Sequence, residues 1–251
     1  MMNTTLVGLS RQVAIERELD VVANNIANIN TTGYKADGSL FEEYLSPSAR
    51  SDGSSGRISF VRDRGLWHDM SQGPIDRTGN PLDVAIDGKG FFAVQTPNGV
   101  RYTRNGAFQL NATGQLVTTD GYQVMGDSGP IAMQPNDHQV SISRDGTISV
   151  REGASKTDSQ RGKLKLVTID NPNQLQKDGS STFNFTGDGT PPSATTGGVI
   201  QGAVEKSNVR GVVEMSRMIE ITRAYTQIAS LLQQQSDQGQ QSIDKLAEIP
   251  N

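Results

Sequence analysis

Cysteine is absent from this 251-residue chain. That excludes disulfides, thiolate nucleophiles and cysteine-held metals, and it leaves the compartment open, because such a chain is at ease in oxidising and reducing surroundings alike. Aromatic residues make up 5% and hydrophobic residues 34%, against 27 glycines. This composition fits a loop-rich β protein with slender elements better than a compact enzyme with a thick core. No apolar run approaches the ~18 residues of a membrane span. A basic excess is lacking as well: the formal net charge of −4 argues against a general nucleic-acid binder. The small cluster Arg57, Arg62 and Arg64 is interrupted by Asp63 and reads as solvated surface. The N-terminal segment has no basic stretch followed by an apolar core, so it does not read as a cleaved secretory signal. The expectation is a cytoplasmic protein, or one exported by a route that uses no such signal. Length allows one large domain or two modest ones with a sizeable core.

Catalytic apparatus is equally scarce. Gly126-Asp127-Ser128-Gly129-Pro130 reproduces the sequence around the nucleophile of chymotrypsin-like serine proteases, whose chemistry needs a histidine base and a buried Asp. The chain has two histidines. His68 precedes Ser128 as that order requires, but it sits in Leu66-Trp67-His68-Asp69, and too little β sequence precedes Ser128 for two barrels. These five residues are also among the commonest turn formers, and a turn is the preferred reading. Gly88-Lys89-Gly90 lacks the spacing of a phosphate-binding loop. His68 and His138 have no carboxylate spacing that suggests a metal, and Asp83 and Asp87 occupy strand and turn positions where solvated acids are routine. The expectation is no catalytic residue, no cofactor, no metal and no small-molecule substrate.

What the chain does have is a pair of apolar stripes near its ends. Ile15, Leu19, Val22, Ile26 and Ile29 alternate steps of four and three, as do Met218, Ile221, Tyr225, Ile228 and Leu232. Such spacing runs along one side of an α-helix and needs another helix to cover it. The first helix is expected from Thr4 or Thr5 to about Asn30, stopped by Thr31-Thr32-Gly33. The second is expected from about Val209 to Ala247, with a polar stretch around Gly239 where an isolated helix would fray.

Between them, residues 34–80 carry breakers such as Ser46-Pro47-Ser48 and Gln72-Gly73-Pro74, and read as an extended connector. Asn98-Gly99, Asn105-Gly106, Asp120-Gly121 and Asp145-Gly146 then separate short apolar runs, the pattern of an antiparallel meander. Residues 163–169 and 199–204 each read as one further strand, and 186–198 as a flexible loop. The fold class is α+β, with the terminal helices paired as a coiled-coil-like domain around an antiparallel β-rich centre. The divisions are 1–33, 34–80, 81–204 and 205–251.

The most specific stretch is Val22-Ala23-Asn24-Asn25-Ile26-Ala27-Asn28-Ile29-Asn30-Thr31-Thr32-Gly33-Tyr34-Lys35. Asparagine is a poor helix former, yet it crowds the last turns. The physical reading is that these amides bond to the backbone of packed neighbours, with Ala23 and Ala27 allowing close approach. This segment closely resembles the signature of the bacterial flagellar axial proteins, those of the rod and hook. Pro81-Leu82-Asp83-Val84-Ala85-Ile86-Asp87-Gly88-Lys89-Gly90-Phe91-Phe92 and Tyr102-Thr103-Arg104-Asn105-Gly106-Ala107-Phe108 resemble the family's central β block. Glu205-Lys206-Ser207-Asn208-Val209 and Arg223-Ala224-Tyr225 resemble its return to the C-terminal helix.

The resemblance covers essentially the whole chain, and the length and Gly126-Asp127-Ser128-Gly129-Pro130-Ile131 are most like the family's proximal rod members. It implies a structural subunit of the basal-body rod that crosses the periplasm as a drive shaft for motility. It also implies neighbouring proximal and distal rod proteins and the flagellar type III export apparatus as partners, and no nucleic acid. The expected assembly interface is both stripes together with Asn24, Asn25 and Asn28. Each stripe is clean for about two heptads, short of an autonomous coiled coil, so the ends are expected to order when the subunit joins its neighbours. A distal rod or other axial protein is the alternative, and a serine hydrolase a remote one.

Overall fold

A computed structural model of the chain describes residues 2–50, 57–152, 158–179, 181–187, 189–193 and 197–247, with side chains described outside 2–5, 43–50, 57–64 and 242–247. The breaker-rich stretch 51–56 and the side chains of Ile243 and Leu246 therefore lie outside the described residues. The chain divides into two compact units.

The helix unit holds Met1–Ala27, Asp37–Trp67 and Arg210–Asn251. Helix α1 spans Met2–Ala27 and helix α2 spans Gly211–Ala247, ~39 and ~56 Å at 1.5 Å per residue. Strands β1 (Asp37–Arg50) and β2 (Arg57–His68) pair with each other as a ribbon. Helix α2 runs unbroken through Gly239. A side-chain bond between positions four apart, from Gln233 Nε2 to Asp237 Oδ1 at 3.0 Å, supports the polar stretch before that glycine.

The β unit holds Asn28–Ala36 and His68–Val209. Its strands are β3 (Ile75–Arg77), β4 (Val84–Asp87), β5 (Phe91–Thr96), β6 (Gly99–Thr103), β7 (Phe108–Leu110), β8 (Leu116–Thr118), β9 (Gln123–Gly126) and β10 (Gly129–Pro130). These are followed by β11 (Asp137–Ile142), β12 (Thr147–Glu152), β13 (Asp158–Lys163), β14 (Leu166–Val167), β15 (Leu175–Lys177), β16 (Thr182–Phe185), β17 (Gly198–Gln201) and β18 (Ala203–Glu205). The main sheet runs β15-β16-β6-β5-β9-β8-β7, with β10 on β9 and β14 on β5. The β5–β6 hairpin and the β7–β8–β9 run are the expected meander. The sheet as a whole is not in sequence order, because β9 returns to β5 and the late β16 adds to β6. A second sheet of order β11-β12-β13 and the pairs β17-β4 and β18-β3 complete the unit.

Strand β5 explains the core. Successive side chains of a strand point to opposite faces. Phe92 and Val94 enter one buried cluster with Phe108, Leu116 and Ile148, while Phe91 and Ala93 enter another with Tyr102, Leu175 and Phe183. A strand buried on both faces reads as an unbroken apolar run, as Phe91-Phe92-Ala93-Val94 does. Phe92 and Phe108 meet edge to face at 5.1 Å, and each ring buried is worth ~1.5–3 kcal/mol.

Two expected strands are each split. Residues 163–169 do not form one strand: β13 ends at Lys163, Leu164 bridges to Gly126, and β14 pairs with β5. The chain changes sheets here, carrying Leu164 into the first cluster and Val167 into the second. Residues 199–204 bend at Gly202, whose φ of 72° is open to glycine, so β17 joins β4 and β18 joins β3.

Candidate functional site

Within the helix unit, α1 packs antiparallel to α2. Glu18 is bound by Arg217 (Nη2 to Oε1, 2.7 Å), Gln12 Nε2 donates to Tyr225 Oη at 3.1 Å, and Gly8 faces Leu232. Residue numbers thus fall along α1 as they rise along α2. Gly8, which the sequence reading passed over, matters here: a Cβ in its place would lie 2.7 Å from Leu232 Cδ2, so the Leu232 side chain occupies the space that the glycine leaves and would have to shift for any larger residue. A groove of about 410 Å³ lies beside them, lined by Ala14, Ile15, Phe41, Ile221 and Ala224 and flanked by Arg11, Glu18, Arg217 and Glu220.

Of the predicted interface residues, Val22, Asn25 and Ile221 are buried within the chain. Ile15, Leu19, Ile26, Asn28, Ile29, Met218, Tyr225, Ile228 and Leu232 are half-buried, and Asn24 is exposed. Asn25 does what its amide suggested. Its Oδ1 accepts from Asp37 N at 2.9 Å, and its Nδ2 donates to Asp37 O at 2.8 Å. One side chain therefore mimics a strand neighbour and ties the end of α1 to the start of the ribbon, satisfying groups that would be costly to bury unpaired.

In the β unit, three signature segments converge on a buried ionic joint that sequence reasoning missed. Lys35 Nζ donates to Glu205 Oε1 at 2.5 Å and to Ser71 O at 2.6 Å, and Arg104 Nη1 donates to Glu205 Oε2 at 3.0 Å. Gly73 N also donates to Glu205 Oε1, at 3.0 Å. The side chains of Lys35 and Glu205 are 0% exposed. Burial pushes Lys35 and Arg104 below their ordinary pKa values, and Glu205 pulls both back up. The available signal was a charged residue in each of the three motifs: Lys35, Arg104 and Glu205. Nothing in their spacing says that Lys35, Arg104 and Glu205 meet.

Backbone contacts complete the joint. Gly33, at φ 69°, donates its N–H to Glu205 O at 2.8 Å. A Cβ at Gly33 would fall 2.3 Å from Asn105 N, so only glycine fits. Thr32 Oγ1 donates to Asn105 Oδ1 at 2.8 Å, and Lys177 Nζ sits 3.7 Å from the centre of the Tyr34 ring. Asn208 gathers the unit's chain ends: its Oδ1 accepts from Ala36 N and its Nδ2 donates to Asp69 O, both at 2.8 Å.

The protease look-alike is a hairpin. Gly126 pairs with Gly129 across Asp127-Ser128, joining β9 to β10. His68 lies edge-on to Phe183 at 5.8 Å, and His138 is on β11 opposite Arg151. Among the described residues, no group of three or more His, Cys, Asp or Glu side chains could hold a metal ion.

Comparison with known proteins first gives the class. Three family descriptions match in chain order: "Flagella basal body rod protein" over residues 6–35, "Flagellar hook protein FlgE/F/G D1 domain" over 85–150, and "Flagellar basal body rod FlgEFG protein C-terminal" over 200–245. The chain is similar to the flagellar basal-body rod protein FlgF of Caulobacter vibrioides, with 39% identity over 99% of this chain and 100% of the relative. It is similar to FlgF of Mesorhizobium japonicum at 33% identity, covering 98% of each, and to FlgG of Bacillus subtilis at 34%, covering 90% and 92%. The chain belongs to the flagellar basal-body rod protein family. It is a structural subunit of the basal-body rod and not an enzyme.

Proposed function

We propose that the chain builds the proximal part of the rod, and that its two terminal helices form a coiled-coil-like element through which it packs against neighbouring rod subunits. The carrying observation is the antiparallel contact of α1 with α2, marked by the Glu18–Arg217 ion pair. Both predicted stripes turn residues inward there, Val22 and Ile221 most fully, while other apolar residues of the same helices stay exposed. Helices with about two clean heptads gain most of their stability from packing. On this proposal they complete their folding when a neighbour covers them. Subunits meeting through unlike patches generate an open helical array, as a tubular shaft requires.

The proposal includes export through the flagellar type III apparatus and a rod that spans the periplasm. Ends that order on assembly suit a chain delivered unfolded. The main test locates the subunit along purified rods by labelled electron microscopy. Label at the base-proximal segment is expected, and label along the distal segment would overturn the proximal position. Circular dichroism of the free subunit at micromolar concentration tests the second element. Partial helicity that rises with concentration is expected, and fully formed, protease-resistant helices would contradict folding on assembly.

A further inference from the structure

The apolar core and the ionic joint of the β unit draw on different parts of the chain. Neither buried cluster takes a residue from 28–36 or from 203–209, and both are built between Met70 and Val199. The joint is made by those end segments. Glu205 receives Lys35, Gly73 and Arg104, which stand 170, 132 and 101 residues away. Its backbone O accepts from Gly33 N, and Lys206 N donates to Pro74 O at 2.9 Å. The strand that carries Glu205 is slight. Strands β18 and β3 are three residues each and, among the described residues, pair only with each other; a two-stranded pair is marginal by itself. Gly202, at φ 72°, divides β17, whose Val199 belongs to the core, from β18, which belongs to the joint.

The closed joint is also costly in itself. Two cations share one anion out of water: the side chains of Lys35 and Glu205 are 0% exposed and that of Arg104 is 4% exposed. Arg104 Nε is buried with no hydrogen-bond partner among the described residues. Dehydrating such groups is offset only while every member is in place, and joining segments so distant in sequence costs loop-closure entropy. We propose that the joint is a latch: it opens as one cooperative step short of unfolding, freeing 28–36 and 203–209 together while both apolar clusters stay intact. The two segments move as one because Glu205 holds Gly33 and Lys35, and Asn208 holds Ala36. The chain enters the β unit from α1 through the first segment and leaves it toward α2 through the second. One carboxylate therefore decides whether both ends of the unit are held. The latch lies within the β unit and does not depend on the reading of the chain as a rod subunit.

Hydrogen exchange of the full-length chain, read by mass spectrometry at rising sub-denaturing urea, tests the latch. Segments 31–36, 71–75 and 203–209 are expected to share one opening, at least about ten-fold less protected than β5. Their protection should also depend less on urea, because less surface is exposed than in full unfolding. Two variants separate the latch from the core. Val94→Ala, in the first cluster, should lower the protection of β5 by about ten-fold or more and leave the three joint segments within about two-fold of the native chain. Glu205→Gln should lower the protection of the joint segments at least about a hundred-fold, all three together. Joint segments that exchange in step with β5 at every urea concentration, or that follow it down in Val94→Ala, would show that the joint opens only when the whole unit unfolds and would overturn the proposal. Separate responses of 31–36 and 203–209 to Glu205→Gln would overturn the single latch.

Discussion

The two units use their apolar residues in opposite ways. Among the described residues, Val100 and Leu110 are the large hydrophobic side chains that the β unit leaves exposed. The helix unit exposes all the others, from Leu6, Leu9 and Val13 to Trp67, Met215, Ile219 and Leu231. One unit closes over its own core, with β5 buried on both faces. The other packs its two helices together and leaves apolar residues of both exposed. On the proposal that the helices carry assembly, that difference marks where packing energy would be gained in the rod.

The comparison breaks most sharply at the ionic joint. Replacing Glu205 with Gln leaves Lys35 and Arg104 buried without their counter-charge, and should destabilise the β unit by ~3–5 kcal/mol. Lys35→Met, which keeps the Arg104–Glu205 pair, should cost clearly less. Urea unfolding followed by far-UV circular dichroism ranks the two, and equal losses would mean that the joint is held by packing and not by charge.

In the helix unit, Ile221→Ala should cost ~2–4 kcal/mol of local stability. It should appear as lost helical signal, with the β unit melting where it did before. A lowered β-unit transition would show that the two units fold as one.

A smaller effect is a pH dependence within the β unit. Arg161 grips Asp137 with two bonds, at 2.6 and 2.7 Å, and these hydrogen bonds hold the carboxyl below its ordinary pKa. A lowered folded pKa means that the stabilisation is complete above the unfolded value of ~3.9 and is lost as pH falls through the folded one. The stability gap between the native chain and Asp137→Asn should therefore be constant from pH 7 to 5 and shrink below pH 4. A gap that holds steady into acid would remove the charge from the explanation. Smallest of all, Leu9→Ser should change monomer stability by no more than ~0.5 kcal/mol, whatever it does to assembly.

Residue patterns carried the elements better than their joining. The helices were legible because Val22 and Ile221 sit in unambiguous four-three stripes, and β5 and β6 because Asn98-Gly99 separates two apolar runs. The break at Leu164 was not legible, since an alternating run looks the same whether it stays in one sheet or crosses between two. Pairing over long sequence distances was hidden for the same reason: β16 against β6 and Lys35 against Glu205 depend on topology, which local periodicity does not encode. Asn25 was legible in type but not in partner. Gly8 was passed over because a helix-interior glycine reads as a weak point until the facing Leu232 is seen.

The central claim is that the helical ends carry assembly while the β unit is a self-contained body. Ile26→Asp and Ile228→Asp, compared with Ser128→Ala and tested for incorporation into purified basal bodies, probe it most directly. The account predicts that both helix variants are missing from basal bodies although their β units melt normally, and that Ser128→Ala is present with unchanged motility. Normal incorporation of Ile26→Asp and Ile228→Asp would contradict it.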